Sequence, residues 1–385
     1  MADSSVADVE IHGHCTKGFE PVREAFAANF ASPGEVGASF SIVRHGEPVV
    51  DLWAGHADAA RTKHWSQDTL ANVWSTTKGM GALVGGLLIE RGEMAYADRV
   101  SKYWPEFAAN GKEHITIGQL LSHQAGLCGP TEPTTVEEMC NQPLMSARLA
   151  AQAPLWEPGS RSGYHAITIG VLLGELVKRI TGKSIGTYFN EEIAMPFGID
   201  FFIGLPPLEE ARVAEMVPAP NASPLAAGNL NPSQVAAFTN PAPDAAVPNQ
   251  RFWRAAELSS ANGQGTAAGL ARVYGALANG GMLEGKQLVT PSTIRAMTAE
   301  QISGMDEVLA MPVRWGAGFL LNVMGLYGPN ESSFGHSGWG GSFGMADPKA
   351  GLGISYVMNQ MGPDLAGDVR ANALIAATYA SLSQS

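Results

Sequence analysis

Cysteine is scarce in this 385-residue chain: Cys15, Cys128 and Cys140 form an odd set without paired spacing. That usage fits reduced thiols and excludes a disulfide framework. Basic residues are also few, 24 Lys and Arg against 36 Asp and Glu for a net charge of −12, and they gather nowhere into a patch. A nucleic-acid or anionic-membrane surface is thereby excluded, and a small, neutral or modestly charged ligand is expected. No apolar run reaches the roughly 18 uncharged residues of a membrane span; the run after Lys78 stops at Glu90. Met1 to Asp8 has neither the basic start nor the apolar core of a secretory signal, so a cytoplasmic protein is expected. His12-Gly13-His14-Cys15 has no second pair at ligand spacing and reads as a plain N-terminal segment. No metal or cofactor is expected.

Apolar residues, at 45%, suffice for a large core in one large domain or two that share a boundary. After a helix around Phe19 to Phe30, the segment Gly37 to Trp53 reads as two strands around a turn at His45-Gly46, a hairpin. Strand signals return only at Trp315 to Met324 and Gly351 to Asn359, before a last helix from Ala366 to Ser381. Between residues 75 and 280 the pattern is mainly helical, including Ile117 to Ser122, Ile167 to Thr181 and Thr266 to Asn279. Strands at both ends with helices between point to one sheet closed by distant parts of the chain. Residues 216 to 250 carry Pro218, Pro220, Pro224, Pro232, Pro241, Pro243 and Pro248 and read as a long loop that no helix or central strand crosses. A loop of that length in an enzyme is expected to wall a substrate.

Ser75-Thr76-Thr77-Lys78 sets a hydroxyl and an amine three residues apart at the head of an apolar segment, so one helical turn brings them together. A lysine takes a serine proton only when its own pKa is lowered, which a helix N-terminus and dry surroundings both do. The residues that follow are apolar on every face until Glu90 and Arg91, with glycines at 79, 81, 85 and 86. That describes a buried helix whose glycines are expected to allow close packing. Tyr164 sits where a Pro/Gly-punctuated loop from Trp156 opens into a helix; its phenol is suited to relay a proton, either as phenolate base or as acid toward a leaving group. Phe334 to Pro348 is a glycine-dense strand edge, which permits close approach of backbone to a ligand. An amide from it, paired with that of Ser75, would form an oxyanion donor pair.

In the order and wide spacing of these elements the chain resembles the serine β-lactamase-like family, which includes class C β-lactamases, D-alanyl-D-alanine carboxypeptidases and family VIII carboxylesterases. Ser75-x-x-Lys78 is similar to the first family element, Tyr164-His165-Ala166 to the second, and His336-Ser337-Gly338 to the third. The stretches Asp98 to Phe107, Ile115 to Leu127 and Ala346-Asp347-Pro348 are family-like too. The resemblance implies a mixed α+β fold, an antiparallel sheet flanked by helices plus a mainly helical subdomain. It implies one catalytic unit over 1–385, with an α/β part at approximately 1–75 and 280–385 and a helical part at approximately 76–279. Ser75, Lys78 and Tyr164 would be catalytic, the amides of Ser75 and Trp339 would form the oxyanion hole, and His336, Ser337, Gly338, Trp339 and Phe343 would meet the substrate, the last two aromatics as an apolar acyl wall. The third element can instead be registered on Trp339-Gly340-Gly341; the first register keeps a hydroxyl, Ser337, at its second position.

Two departures bear on the substrate. Ala166 stands where penicillin-recognising members hold an amide side chain with asparagine, and His336, largely neutral at pH 7, stands where they meet a carboxylate with lysine. Losing a cation about 4 Å from a carboxylate forfeits on the order of 1 to 4 kcal/mol for an anionic β-lactam and nothing for an uncharged ester. A serine carboxylesterase acting on small esters through an acyl-enzyme is therefore expected, with β-lactam or peptide hydrolysis, or a non-catalytic acyl-binding sensor, as alternatives. Segments 128 to 148 and 216 to 250 are expected to set substrate preference. Two literal Gly-x-Ser-x-Gly matches, at Ser184 and Ser342, lack the strand-turn-helix setting of a nucleophile elbow; Ser184 reads as an N-cap.

Overall fold

The computed structural model describes residues 9–31, 34–220 and 229–383; Met1 to Asp8 and Pro224, read above from sequence, lie outside them. His12–Cys15 (β1), taken above as a plain segment, forms an edge strand. Glu20–Ala28 (α1) follows, and then the hairpin Gly37–Arg44 (β2) and Glu47–Gly55 (β3). His45 and Gly46 turn it with φ of 51° and 87°, the left-handed pair that matches strand twist in a two-residue connection. From the other end of the chain come Ile302–Met305 (β4), Pro312–Trp315 (β5), Leu320–Leu321 (β6), Phe334–Ser337 (β7), Phe343–Asp347 (β8) and Leu352–Met358 (β9). They join in one antiparallel sheet of order β1-β3-β2-β9-β8-β7-β6-β5-β4, closed where β9 pairs with β2.

The single strand expected from Trp315 to Met324 is two. Gly318, at φ 94°, and a Gly316 amide bonded to Phe319 O fold the chain back, so that Trp315 pairs with Leu320. The Pro-rich segment also differs: Pro232–Thr239 is a helix. Proline is tolerated at N1, where its missing N–H is unneeded, and Asn231 with Gln234 closes a capping box.

Thr77–Glu90 (α2) is buried through Leu88. Its glycines divide in role. A Cβ at Gly79 would sit 2.0 Å from Tyr274 Oη and one at Gly86 2.4 Å from Met297 Sδ, whereas Gly85 has ordinary room. Thr168–Thr181 (α3), Ala267–Ala278 (α4) and Val369–Leu382 (α5) end within three residues of their expected bounds. Helix α4 lies so close to β9 that a Cβ on Gly353 would meet Gly275 N at 2.0 Å. In β8, Gly344 faces Tyr274 of α4 while its neighbour Phe343 faces the residues of α5; successive strand residues point to opposite faces, so the two helices cover opposite sides of the sheet. Every residue of β9 is buried accordingly. Among the described residues no helix is long and apolar enough to cross a membrane.

Candidate active site

Ser75 lies in a 3-10 turn, Trp74–Thr76, that runs directly into α2. The turn is clipped on two sides. Toward the sheet, Ser342 Oγ donates to Val73 O at 2.8 Å and lies 3.1 Å from Thr76 Oγ1, and Gly338 comes so near that a Cβ there would be 2.2 Å from Val73 O. Toward the helical side, Gly263 N donates to Thr77 Oγ1 and Val73 N to Gly263 O, each at 3.0 Å. Ser342, rejected above as a nucleophile, thus holds the turn that carries Ser75, and Ser184 caps its helix by accepting from Thr187 N. Trp74 adopts φ 46°, a strained conformation for a bulky residue, with its ring against Trp253 and Trp339 at centroid distances of 5.6 and 5.0 Å.

Lys78 Nζ lies 3.0 Å from Ser75 Oγ, 2.7 Å from Ala166 O and 2.8 Å from Ser260 O. Burial holds its pKa well below the usual lysine value. A neutral amine has two N–H donors and one lone pair. In the neutral form the two carbonyls take the donors and the lone pair faces Ser75 Oγ; in the charged form the third N–H donates to it. Tyr164 Oη donates to Ser75 Oγ at 2.6 Å. Its pKa is raised, by burial above all, which corrects the phenolate alternative: this phenol keeps its proton, and every proton of the trio then has an acceptor.

Tyr164 is fixed from several directions. Its N–H donates to Asp306 Oδ1 at 2.9 Å, and that carboxylate also accepts from Val308 N, Leu309 N and Trp315 Nε1. Its ring stacks on Trp315 at 5.9 Å and on His336 at 6.0 Å. His165 donates or accepts at both ring nitrogens, Nδ1 with Gly163 O at 2.6 Å and Nε2 with Leu127 N at 3.1 Å. It steadies the loop and offers the reaction no free nitrogen.

His336 is buried, with Nδ1 2.9 Å from Ser337 O. Burial first, and the nearby Lys78 second, push its pKa down to about 3, so it supplies no cation. Ser337 Oγ lies 3.4 Å from Tyr327 Oη. Among the described residues neither the Ser75 nor the Trp339 amide donates to a protein acceptor, while Gly338 N, Gly340 N and Gly341 N all do.

Ser75 and Tyr164 open into a mostly apolar cleft, the character of a small-ligand site. Trp74, Trp253 and Trp339 form one wall; Val136 and Met139, with Phe238 and Pro241 to Asp244, form others. Both segments expected to set substrate preference therefore reach it. Phe343 does not: it lies behind the sheet edge, against Tyr356 and α5, because Ser337 and Phe343 are paired strand residues facing away from the cleft. His336, Ser337 and Gly338 are likewise outside its lining. Sequence reading missed Trp253, Asp306 and the Ser260 carbonyl. Trp74, next to Ser75, was the one missed wall residue with a local signal.

Fold and site together define a hydrolase of the β-lactamase and esterase class. The Beta-lactamase family profile matches residues 22–378, and the chain belongs to that family. It is 34% identical over 370 residues to Esterase/beta-lactamase LipL of Mycobacterium tuberculosis (strain ATCC 25618 / H37Rv), covering 93% of this chain and 85% of that one. The crystal structure of a family VIII carboxylesterase superposes with a TM-score of 0.92 at 49% identity, covering 97% of this chain and all of the other (100%). A novel penicillin-binding protein homolog from Caulobacter crescentus gives 0.91 at 46%, with coverage of 97% and 100%.

Proposed function

We propose that the protein is a serine carboxylesterase for small, uncharged esters. The observation that carries this reading is Ser75 Oγ held between Lys78 Nζ at 3.0 Å and Tyr164 Oη at 2.6 Å, in a cleft whose lining includes no Lys or Arg and one carboxylate, Asp244. Lys78 accepts the Ser75 proton as Oγ bonds to the ester carbonyl carbon, and the amides of Ser75 and Trp339 stabilise the oxyanion. The C–O bond to the alcohol breaks, and Tyr164 gives its proton to the departing alkoxide. The proton on Lys78 restores the phenol. Water then adds to the acyl carbonyl, gives up a proton to the same pair, and releases the acid as Ser75 recovers its hydrogen.

Among the described residues that line the cleft, an anionic β-lactam finds no Lys or Arg, and Ala166 offers only its carbonyl, already engaged by Lys78. Relatives named as a β-lactamase or penicillin-binding protein homolog make β-lactam turnover the rival to test. Hydrolysis of a short-chain p-nitrophenyl ester is measured beside a chromogenic cephalosporin, with Ser75→Ala as the blank. The reading expects ester turnover lost in the variant and cephalosporin slow or untouched. Cephalosporin preferred over ester would overturn it in favour of a β-lactamase, and a persistent acyl adduct without turnover would overturn it in favour of a sensor.

A further inference from the structure

The turn that carries Trp339 is held by a charged cluster that the reaction chemistry above does not use. Gly338 O accepts from Gly341 N at 3.1 Å, and in a trans peptide this aims the Trp339 N–H the opposite way. Gly340 O, one residue on, accepts from Gly362 N at 2.7 Å and from Arg370 Nη2 at 2.8 Å, while Gly340 N donates to Asp364 O at 2.9 Å. Arg370 stands in the first turn of α5. Its Nε and Nη2 grip Asp368 at 3.0 and 2.9 Å; Nη1 donates to Gln360 O at 2.8 Å and lies 3.0 Å from Glu35 Oε1. Both carboxylates are buried. The guanidinium and its Asp368 partner fill space that side chains would otherwise take: a Cβ at Gly341 would be 2.9 Å from Nη2, and one at Gly362 2.4 Å from Asp368 Oδ2.

We propose that Arg370, gripped by Asp368 and Glu35, is a positioning residue that aims the Trp339 amide at the reacting carbonyl. The inference rests on the reading of that amide as an oxyanion donor. Each Arg370 nitrogen already faces an acceptor, so the planar fork ties the N-terminus of α5, the chain before β2, and the 338–341 and 360–362 loops into one unit. Arg370 is not among the residues that line the cleft, which separates this role from substrate binding. A misaimed donor loses transition-state contact while leaving the apolar cleft that binds the ground state intact.

The test uses the full chain with Arg370→Lys and Asp368→Asn. Active sites are titrated with a fluorophosphonate, so that misfolded protein drops out of the count. The readouts are kcat per titrated site and KM for a short-chain p-nitrophenyl ester, and the Ki of an alkyl boronic acid that forms a tetrahedral anion on a serine. We expect kcat per site to fall about 10- to 100-fold, part of the roughly 100- to 1,000-fold cost of deleting an oxyanion donor. KM should stay within about twofold, and the boronate Ki should rise in step with the fall in kcat. Variants that lose thermal stability but keep kcat per site and boronate affinity would overturn the inference and leave Arg370 purely structural. Should Arg370→Lys not fold, the near-isosteric Asp368→Asn decides by the same readouts. Ester turnover in the parent chain that survives Ser75→Ala would overturn the underlying reading; Ser75-dependent turnover indifferent to both variants would overturn this inference alone.

Discussion

Tyr164→Phe removes a single oxygen, 2.6 Å from Ser75 Oγ, and little else. The ring keeps its stacking on Trp315 and His336, and the backbone N–H keeps Asp306, so the fold and the Lys78–Ser75 contact should survive. What is lost is the acid for the leaving group, a role worth about 10²- to 10⁴-fold, or about 3 to 5 kcal/mol of barrier. The loss should depend on the alcohol. An alkyl alkoxide is a strong base that cannot leave without a proton, whereas p-nitrophenolate departs as a stable anion. In single-turnover acylation, an ethyl or butyl ester should therefore lose the full factor and the p-nitrophenyl ester of the same acid much less. Equal losses on both esters would refute the assignment of Tyr164 as the acid, and near-normal turnover of the alkyl ester would remove it from the mechanism.

The acid limb of the kcat/KM profile should report Lys78. Burial lowers its pKa, and the base form exists only above that pKa, so kcat/KM rises with pH through it and then levels. Lys78→Met should abolish the limb with most of the activity; an identical limb in residual Lys78→Met activity would contradict the assignment. Ser342→Ala should cost about 0.5 to 1.5 kcal/mol in urea unfolding, because one of the two hydrogen bonds to the Val73 carbonyl is lost and that from Thr76 N remains, while Ser75-dependent turnover persists; abolished turnover at unchanged stability would point to Ser342 as the nucleophile. Asp244 is exposed at the cleft, and Asp244→Asn should raise kcat/KM for 4-carboxyphenyl acetate by about two- to fivefold, leaving phenyl acetate unchanged, an effect that salt diminishes. An equal change for both esters would refute a charge effect.

The parts of the site written in contiguous residues are legible in the sequence alone. Ser75 and Lys78 meet because a helical turn brings residues three apart together, and the His45-Gly46 hairpin is likewise local. The Tyr164 hydroxyl reaches Ser75 across 89 positions; family resemblance, not spacing, brought them together. The parts played by Asp306, the Ser260 carbonyl and Arg370 are not legible locally, since their contacts with Tyr164 N, Lys78 Nζ and Gly340 O span 142, 182 and 30 positions. Proline density obscured the helix at Pro232–Thr239, although its capping box, Asn231 to Gln234, was present in the sequence. The Trp315 to Met324 segment misled through its apolar residues, which outweighed Gly316 and Gly318 at the turn. Phe343 was misplaced because aromatic character says nothing of strand parity: one residue of register decides which side of the sheet a ring faces.

The proposed reaction passes through a covalent acyl-enzyme on Ser75. Rapid acid quench during turnover of a p-nitrophenyl ester, followed by intact-mass and peptide analysis, tests it directly. One acyl increment per chain is expected, located on the peptide containing Ser75 and absent from Ser75→Ala; an increment on a peptide carrying Ser342 or Ser184, with Ser75 unmodified, would rule the mechanism out.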